Sequence, residues 1–195
     1  VFADNIPIIV ISASKIPQSK SIIGSDVSII DNEIISGSEQ NFVGDILSEN
    51  LMGMNYFQSG GYGTVSGIQL RGQPKRYSTV YLNGIKLSDP STPSNDYYFG
   101  NLVNNSLETV EIWKGSQSTL YGSGAIAGTI NLYPKKGRDG HNSYASINKG
   151  SFGTQNVNLS FDGKEGNTEY FLGFSNFNSD GISARKDDDE DDRYR

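Results

Sequence analysis

Hydrophobic and polar residues alternate most regularly in the last third of the chain. Three segments, 144–149, 156–162 and 168–178, alternate apolar and polar side chains with a period of two, as Val157, Leu159 and Phe161 show, and Phe171 is an exception. A period of two predicts β-strands with one apolar and one polar face. Short glycine turns are predicted between the strands, at 150–153 and 163–166. Aromatic-rich strands of about ten residues are typical of a transmembrane β-barrel, although a soluble β-sandwich shows the same alternation.

The remaining length limits what these strands can form. A membrane barrel closes with about eight strands or more. Only 55 residues (195 − 140) follow Gly140, which is enough for about three or four strands of this kind. If these are barrel strands, we expect the chain to be one part of a longer protein.

The first two thirds of the chain predict several strands and one helix. Strands are predicted at 8–11, 21–30 and 67–70, and 79–87 predicts a hairpin around Asn83-Gly84, a dipeptide that type I′ turns prefer. The helix is predicted over 36–50, with Ser38 as its N-cap and Glu39 in its first turn. Its buried face is formed by residues at helical spacing, namely Phe42, Val43, Ile46 and Leu47.

Segment 110–136 joins two apolar strands through a glycine-rich corner. Four glycines, at 115, 122, 124 and 128, occupy this corner. Glycine at this density indicates tight turns or the close approach of another backbone. A phosphate-binding glycine loop would need a helix directly after it, whereas a strand follows here, so nucleotide binding is disfavoured.

Composition and charge narrow the function further. Mean hydropathy is −0.46, and the longest apolar run, 6–11, is far shorter than the ~20 residues of a membrane-spanning helix. The net charge of −6 disfavours nucleic-acid binding, which needs a basic face. The chain has no Cys, and His141 is its only histidine. With one His and no Cys, a zinc site of Cys and His ligands cannot be assembled. No apolar surroundings single out a pair of carboxylates for an enzyme built on carboxylates alone, so an enzyme is disfavoured.

Three short segments allow two interpretations each. Val1-Phe2-Ala3 has the small-residue spacing of a signal-peptidase site, or is an arbitrary start. The polar loop 88–98 is a candidate ligand surface or an ordinary surface loop. The run Asp187–Asp192 offers hard oxygen ligands that suit Ca²⁺, or is a solvated acidic loop.

Four landmarks, in this order and spacing, resemble the TonB-dependent outer-membrane receptors. They are the apolar stretch 8–12, which is similar to a TonB box, the strand segment 68–72 (IQLRG), the hairpin 80–87 (VYLNGIKL) and the glycine corner 110–136. Four features depart from the usual pattern of the family. Asn83 stands where Asp is usual, Lys114 where Arg is usual and Ser116 where Pro is usual, and the stretch 8–12 lacks the Thr that is common in a TonB box. Within the family the chain looks most like the cobalamin receptor group, because segment 56–72 aligns with that group's apical loop.

The resemblance implies a fold and a division into domains. We expect an α+β plug domain, a small mixed sheet with short helices, followed by antiparallel β-strands of a truncated transmembrane β-barrel. The expected divisions are an N-terminal segment at 1–14 with the TonB-box-like stretch, the plug at 15–137 and the first barrel strands at 138–195. Arg71 and Lys114 are expected to form salt links within the plug or to the barrel wall.

The resemblance also implies a function: gated, energy-coupled uptake of a scarce nutrient across the bacterial outer membrane, with cobalamin as the ligand. The alternative within the family is a receptor for a ferric siderophore or haem. The alternative from another class is a β-rich surface binding module without transport. The implied partners are the periplasmic protein TonB, a small-molecule ligand and outer-membrane lipid, with no nucleic acid.

The resemblance assigns site residues to these roles. The TonB contact is expected at Ile8, Ile9, Val10, Ile11 and Ser12. Substrate binding is expected at Gln58, Ser59, Gly60, Tyr62, Asp89, Ser91, Ser94 and Tyr97. No cofactor is expected in the plug, whereas Ca²⁺ is expected at an acidic extracellular loop through Asp187, Asp189 and Asp192.

Overall fold

A computed structural model describes residues 9–10, 18–19, 23–24 and 26–181. Its strands and helices, in chain order, are β1 (Ile9–Val10), β2 (Gln18–Ser19), β3 (Asp26–Ile30), α1 (Asn32–Gly37), α2 (Val43–Asn50), β4 (Met54–Gln58), β5 (Ser66–Leu70), β6 (Ser78–Leu82), β7 (Ile85–Leu87), β8 (Leu107–Lys114), α3 (Ser118–Tyr121), β9 (Gly128–Pro134), β10 (Gly140–Lys149), β11 (Gln155–Glu165) and β12 (Thr168–Asn178). Short 3₁₀ turns lie at Lys75–Tyr77 and Phe99–Asn101. None of the helices among these residues is long and apolar enough to cross a membrane.

A five-stranded sheet in the order β3-β8-β9-β6-β7 organises the first part of the chain. Strands β6 and β9 run parallel, whereas the other neighbours are antiparallel, so the sheet is mixed as predicted. One face supplies Val110, Ile112, Ile130 and Leu132 to the main core. Helix α2 and strand β5 cover this face, and burial of their apolar side chains is what holds the layer together.

The predicted helix over 36–50 is wrong in its extent, because the structure has two helices separated by an extended segment. Asp31 caps α1 by accepting a hydrogen bond from the Ile34 amide at 3.1 Å. Ser38 lies just after α1 instead of opening a helix, and its hydroxyl accepts from the Gln40 amide at 3.1 Å. Asn104 stabilises the break by donating to the Gln40 carbonyl at 3.1 Å.

Helix α2 begins at Val43, and Phe42 is its N-cap residue. A tertiary contact fixes this start, since the Val43 amide donates to the Leu102 carbonyl at 2.9 Å. The predicted buried face is confirmed: Phe42, Val43, Ile46 and Leu47 are each at most 2% exposed.

The predicted hairpin around Asn83-Gly84 is confirmed. Leu82 pairs with Ile85, which leaves these two residues as the turn. Asn83 has a φ of 48° and Gly84 a φ of 83°. A type I′ turn needs positive φ at both central positions, and Asn and Gly are the residues that tolerate it best.

Strands β10, β11 and β12 form a separate antiparallel sheet, called the wall sheet below. Its turn between β11 and β12 differs from the prediction at 163–166, because β11 continues to Glu165 and only Gly166-Asn167 form the turn. Gly163 is a packing glycine: a Cβ there would lie 2.6 Å from the Tyr170 hydroxyl and 2.7 Å from the Gly140 carbonyl oxygen.

The two faces of the wall sheet differ in polarity, as the alternation predicts. One face exposes large apolar side chains, namely Ile147, Leu159, Phe161, Tyr170, Leu172 and Phe174. The other face turns toward the five-stranded sheet and buries polar side chains, namely Asn156, Asn158, Ser160 and Asp162. An apolar outer face with a polar inner face is the arrangement of a strand in a membrane barrel.

Candidate functional site

The loop of residues 59–65, called the first loop, joins β4 to β5 and holds the predicted ligand residues Ser59, Gly60 and Tyr62. Hydrogen bonds within the loop close it: the Gln58 side-chain amide and the Thr64 hydroxyl both donate to the Gly61 carbonyl, the latter at 2.8 Å. The Ser59 amide donates to the Val65 carbonyl at 2.9 Å. Ser59 and Gly60 remain exposed at the tip. The loop therefore presents polar groups from a compact turn.

The second predicted ligand loop, residues 88–98, is built on Asp89. The Asp89 carboxylate accepts from the Ser91 hydroxyl at 2.6 Å and from the Ser91 amide at 2.9 Å. These bonds stabilise the ionised form, so they lower the pKa of Asp89 below its ordinary value of 3.8. Their contribution to loop stability is fully present above that value and is lost only as the pH falls through the lower, folded-state pKa. At neutral pH both hydrogen bonds are therefore accepted by an ionised carboxylate.

Lys75 and Asp96 fasten the base of the second loop. The Lys75 ammonium lies 3.2 Å from the Asp96 carboxylate and 4.3 Å from the centre of the Tyr98 ring. Asp96 is 9% exposed, so this ion pair is largely shielded from solvent. Sequence reasoning missed the pair, because 21 residues separate its members (96 − 75) and no local pattern marks either one.

Tyr97 is half-buried at the end of the same loop. Its ring packs edge-on against Phe99, with 5.1 Å between ring centres. Burial raises the pKa of the Tyr97 phenol, which stays neutral. The hydroxyl is therefore able to act as a neutral donor or acceptor near the loop.

Gly100 brings the two loops together. A Cβ at this position would lie 2.7 Å from the Thr64 carbonyl oxygen and 3.4 Å from the Gly63 carbonyl carbon. Only a glycine allows the chain leaving the second loop to pass this close to the first. Of the predicted substrate residues, Ser59, Gly60, Tyr62, Ser91 and Ser94 are exposed, whereas Gln58, Asp89 and Tyr97 are half-buried.

Tyr62 links the first loop to the wall sheet. Its ring stacks on Phe42 at 5.1 Å and meets Phe177, near the end of β12, edge-on at 4.9 Å. Phe42 and Phe177 also contact each other at 5.0 Å. These three rings, the aromatic trio, connect the predicted ligand loop with α2 and with the wall.

Arg71 and Lys114 both lie near Asp26. The Arg71 guanidinium is 2.7 Å from the Asp26 carboxylate, and the Lys114 ammonium is 3.9 Å from the same oxygen. Arg71 and Asp26 are each about half exposed, so the pair adds about 1 kcal/mol or less. The expected salt links therefore occur within the predicted plug.

The predicted TonB contact is described only at Ile9 and Val10, which pair with β2. The Val10 side chain is fully buried against Val27 and Trp113. Ile8, Ile11 and Ser12 lie outside the described residues.

The predicted calcium ligands Asp187, Asp189 and Asp192 also lie outside the described residues. Within the described part of the chain, no group of three or more His, Asp or Glu side chains is arranged to hold a metal ion.

A polar cleft of about 1290 Å³ separates the wall sheet from the five-stranded sheet. Glu111 and Tyr133 line it on one side, and Asn158 and Asp162 line it on the other. Burial, followed by the nearby Glu111 carboxylate, raises the pKa of the Tyr133 phenol well above its ordinary value. The cleft therefore contains polar side chains on both of its walls.

Comparisons with known proteins agree with this architecture. Residues 19–129, more than half of the chain, match the TonB-dependent Receptor Plug Domain. The chain is 26% identical over 186 residues to the vitamin B12 transporter BtuB of Photobacterium profundum, which covers 95% of this chain and 30% of that transporter. It is 25% identical over 152 residues to BtuB of Vibrio vulnificus, covering 78% of this chain and 24% of that transporter. The chain thus spans less than a third of the length of these relatives.

Solved structures share the fold. The ferripyoverdine receptor FpvA of Pseudomonas aeruginosa, bound to a heterologous pyoverdine, superposes with a TM-score of 0.74 at 17% identity, over 89% of this chain and 22% of that one. The siderophore receptor PiuA of Acinetobacter baumannii gives a TM-score of 0.64 at 23% identity, over 80% of this chain and 21% of that one. The chain therefore belongs to the TonB-dependent receptors of the outer membrane, and it carries the plug domain of such a receptor and the first strands of its barrel.

Proposed function

We propose that this chain is the plug and the start of the barrel of a receptor that takes up cobalamin across the outer membrane in a gated, energy-coupled step. The observation that supports cobalamin as the ligand is the similarity to a vitamin B12 transporter over 95% of the chain. This span includes the two ligand loops, 59–65 and 88–98, which are called the apical loops. The alternatives are a ferric siderophore or haem, and the siderophore receptors among the structural neighbours share the fold alone.

The charge of the apical loops also favours cobalamin over an anionic iron chelate. Residues 58–65 and 88–98 contain no Lys or Arg, and they include the carboxylate of Asp89, whereas that of Asp96 is paired with Lys75. Anionic chelates built on catecholate or carboxylate groups would meet repulsion there, since like charges in a partly desolvated site disfavour binding. Exposed hydroxyls at Ser59, Ser91 and Ser94 suit the amide groups around a corrin ring.

The N-terminal stretch 8–12 is proposed to be the handle for energy coupling. An extended segment can add a strand to the sheet edge of a partner such as TonB. Ile9 and Val10 already adopt strand geometry by pairing with β2, which supports this role. Pulling on the handle would remodel the plug, and the polar cleft is the space into which a ligand would pass.

Calcium binding by the acidic run is a further part of the proposal. Six consecutive residues, Asp187–Asp192, carry six carboxylates, and Ca²⁺ prefers six to eight oxygen ligands. In this proposal the bound ion would neutralise the acidic loop beside the ligand.

Binding measurements on the full-length receptor test the ligand. We expect cyanocobalamin to bind and ferric enterobactin not to bind, and we expect a calcium chelator to weaken cyanocobalamin binding. Replacing both Ser91 and Ser94 by Ala should weaken binding by about thirtyfold, because each lost hydrogen bond contributes roughly 1 kcal/mol. Ser116→Ala, an exposed serine outside both loops, is the control and should leave binding unchanged. Binding of the ferric chelate without binding of cyanocobalamin would replace this proposal with the siderophore alternative.

A further inference from the structure

The connector between the plug and the wall sheet is held at both of its ends. Strand β9 ends at Pro134 and β10 begins at Gly140. On the plug side, the Lys135 amide donates to the Ser106 carbonyl at 2.8 Å. On the wall side, a Cβ at Gly137 would lie 2.0 Å from the Gly163 carbonyl oxygen, so the two backbones touch. Only Lys136 separates the plug contact from the wall contact.

Arg138 reinforces the wall contact with three hydrogen bonds to one carboxylate. Its backbone amide and its Nε each donate to Asp162 Oδ2 at 3.0 Å, and its Nη2 donates to Asp162 Oδ1 at 2.7 Å. Such a two-pronged Arg–carboxylate pair fixes orientation as well as distance. The backbone bond adds a constraint that a side-chain pair alone would lack.

The Asp162 carboxylate is buried on the inner face of β11. Its side chain is 4% exposed, and Asn142 also donates to it at 3.3 Å. Arg138 itself is 67% exposed toward the cleft. A buried carboxylate needs charged and hydrogen-bonding partners, so it holds the one guanidinium that reaches it tightly.

The other described contacts between the plug and the wall sheet are uncharged. Asn156 donates to the Asn41 side chain, and Asn105 donates to the Phe174 carbonyl at 3.2 Å. The aromatic trio is the third such contact. Among the described residues, the Arg138–Asp162 pair is therefore the only ion pair that fastens this part of the chain to the wall.

Sheet topology decides which part of the plug the connector holds. Strand β9 lies at the centre of the five-stranded sheet, between β8 and β6, whereas β3 lies at an edge and pairs with β8 alone. Because β8 lies between β3 and β9, a displacement that starts from the N-terminus moves β3 before it reaches β9. The connector continues directly from β9.

We propose that Arg138 and Asp162 form a latch that keeps the exit of β9 seated on the wall while the energised step displaces the N-terminal part of the plug. The inference rests on the proposed function, since it assumes that the plug is displaced by TonB. The connector already ties the displaced plug covalently to the wall. The latch adds a limit to the opening, because it holds the exit of β9 against β11.

Passage of a large hydrophilic antibiotic, vancomycin, through the full-length receptor in cells tests the latch. We expect Asp162→Asn and Arg138→Ala to lower the inhibitory concentration about tenfold in cells with TonB, because each removes a charge-assisted bond. The double variant should match the single ones, since all three lack the same pair. In cells without TonB the inhibitory concentration of vancomycin should be the same for the variants and the wild type.

Asp26→Asn is the matched control. Asp26 also accepts from an arginine at 2.7 Å, but that pair lies within the plug and is half exposed. We expect no added antibiotic passage. Equal behaviour of Asp162→Asn and Asp26→Asn, or equal sensitivity with and without TonB, would overturn the latch. Failure of the wild-type receptor to take up cobalamin would instead contradict the proposed ligand. The antibiotic sensitivities of Asp162→Asn and Asp26→Asn would still decide whether the latch exists.

A distance measurement in purified receptor tests the latch if a variant assembles too poorly for the antibiotic assay in cells. Spin labels at Lys136 and Glu165, both exposed, report the distance between the connector and the wall in purified full-length receptor. Arg138→Lys keeps the charge but loses the two-pronged geometry, so we expect a broader distance distribution than in the wild type. An unchanged distribution would overturn the latch.

Discussion

At the scale of single residues, glycine serves two different needs in this chain. Gly84 and Gly166 occupy turns with positive φ. Gly128, Gly137 and Gly163 instead allow backbones to touch, because a Cβ at any of them would lie within 2.7 Å of a carbonyl oxygen. The second kind cannot be recognised from turn patterns, since it depends on residues that are distant in sequence.

Gly128→Ala should destabilise the plug strongly. The new Cβ would lie 2.1 Å from the Trp113 carbonyl oxygen in the neighbouring strand, at a φ of 155°. We expect a loss of about 3 kcal/mol, which combines overpacking with backbone strain. Hydrogen exchange of the β8 and β9 amides in the full-length receptor would measure it.

Gly37→Ala is the control for this substitution. Its Cβ would meet nothing within 4 Å, and no positive φ is involved. We expect exchange to remain unchanged. Similar hydrogen exchange in Gly128→Ala and Gly37→Ala would show that β9 can move enough to accommodate the added Cβ.

At the scale of elements, local patterns predicted most of the strands and the hairpin, but they predicted neither β2 and β4 nor the break between the helices. The hairpin follows from Asn83-Gly84, and the wall strands follow from alternation at Val157, Leu159 and Phe161. Both signals are local, so sequence reasoning could use them. The break at 38–42 depends on Asn104 and Leu102, which lie about 60 residues away, so no local pattern could reveal it.

The same limit applies to the candidate site. The loops themselves were predicted from their glycine, serine and proline content. The ion pairs Lys75–Asp96 and Arg138–Asp162 join residues that are 21 and 24 positions apart (96 − 75 and 162 − 138), and only the fold brings them together. The role of Tyr62 in the aromatic trio also depends on Phe177, which lies in another sheet.

Val10→Pro tests strand β1 as the handle for energy coupling. Proline removes the backbone donor that strand addition to TonB would use. We expect cobalamin uptake to be abolished while binding of cyanocobalamin to the full-length receptor is unchanged. Transport and binding are measured on the same cells.

Val10→Ala separates the backbone effect from the packing effect. It retains the donor but loses contacts with Val27 and Trp113, so uptake should fall much less than with proline. If proline abolished binding as well, segment 8–12 would be a part of the plug core instead of a handle.

At the scale of the whole molecule, the plug meets the wall through polar and aromatic contacts instead of an aliphatic core. The main core lies within the plug, between the five-stranded sheet, α2 and β5. The wall contributes Asn156, Asn158 and Asp162 to the interface. Such an interface can separate with less exposure of apolar surface, which is compatible with the plug movement proposed above.

Phe177→Ala should loosen the first ligand loop from the wall. Each aromatic pair contributes about 0.5–1.5 kcal/mol beyond the area it buries, and Phe177 contacts both Tyr62 and Phe42. We expect faster hydrogen exchange at residues 59–65 of the full-length receptor.

Phe174→Ala on the same strand is the matched control. This side chain lies on the outer face and is 57% exposed, so its loss should not alter exchange in the loop. Equal effects of the two substitutions would mean that the loop responds to the strand as a whole and not to the aromatic trio.

The position of β10 has a consequence for how the complete receptor is joined. Among the strands that the structure describes, β10 pairs only with β11, so no described strand accepts or donates hydrogen bonds along the opposite side of Gly140–Lys149. A closed barrel leaves no strand edge unpaired. In the proposed receptor a strand from another part of the barrel would therefore pair with β10, and the plug would join the wall at the seam where the barrel closes.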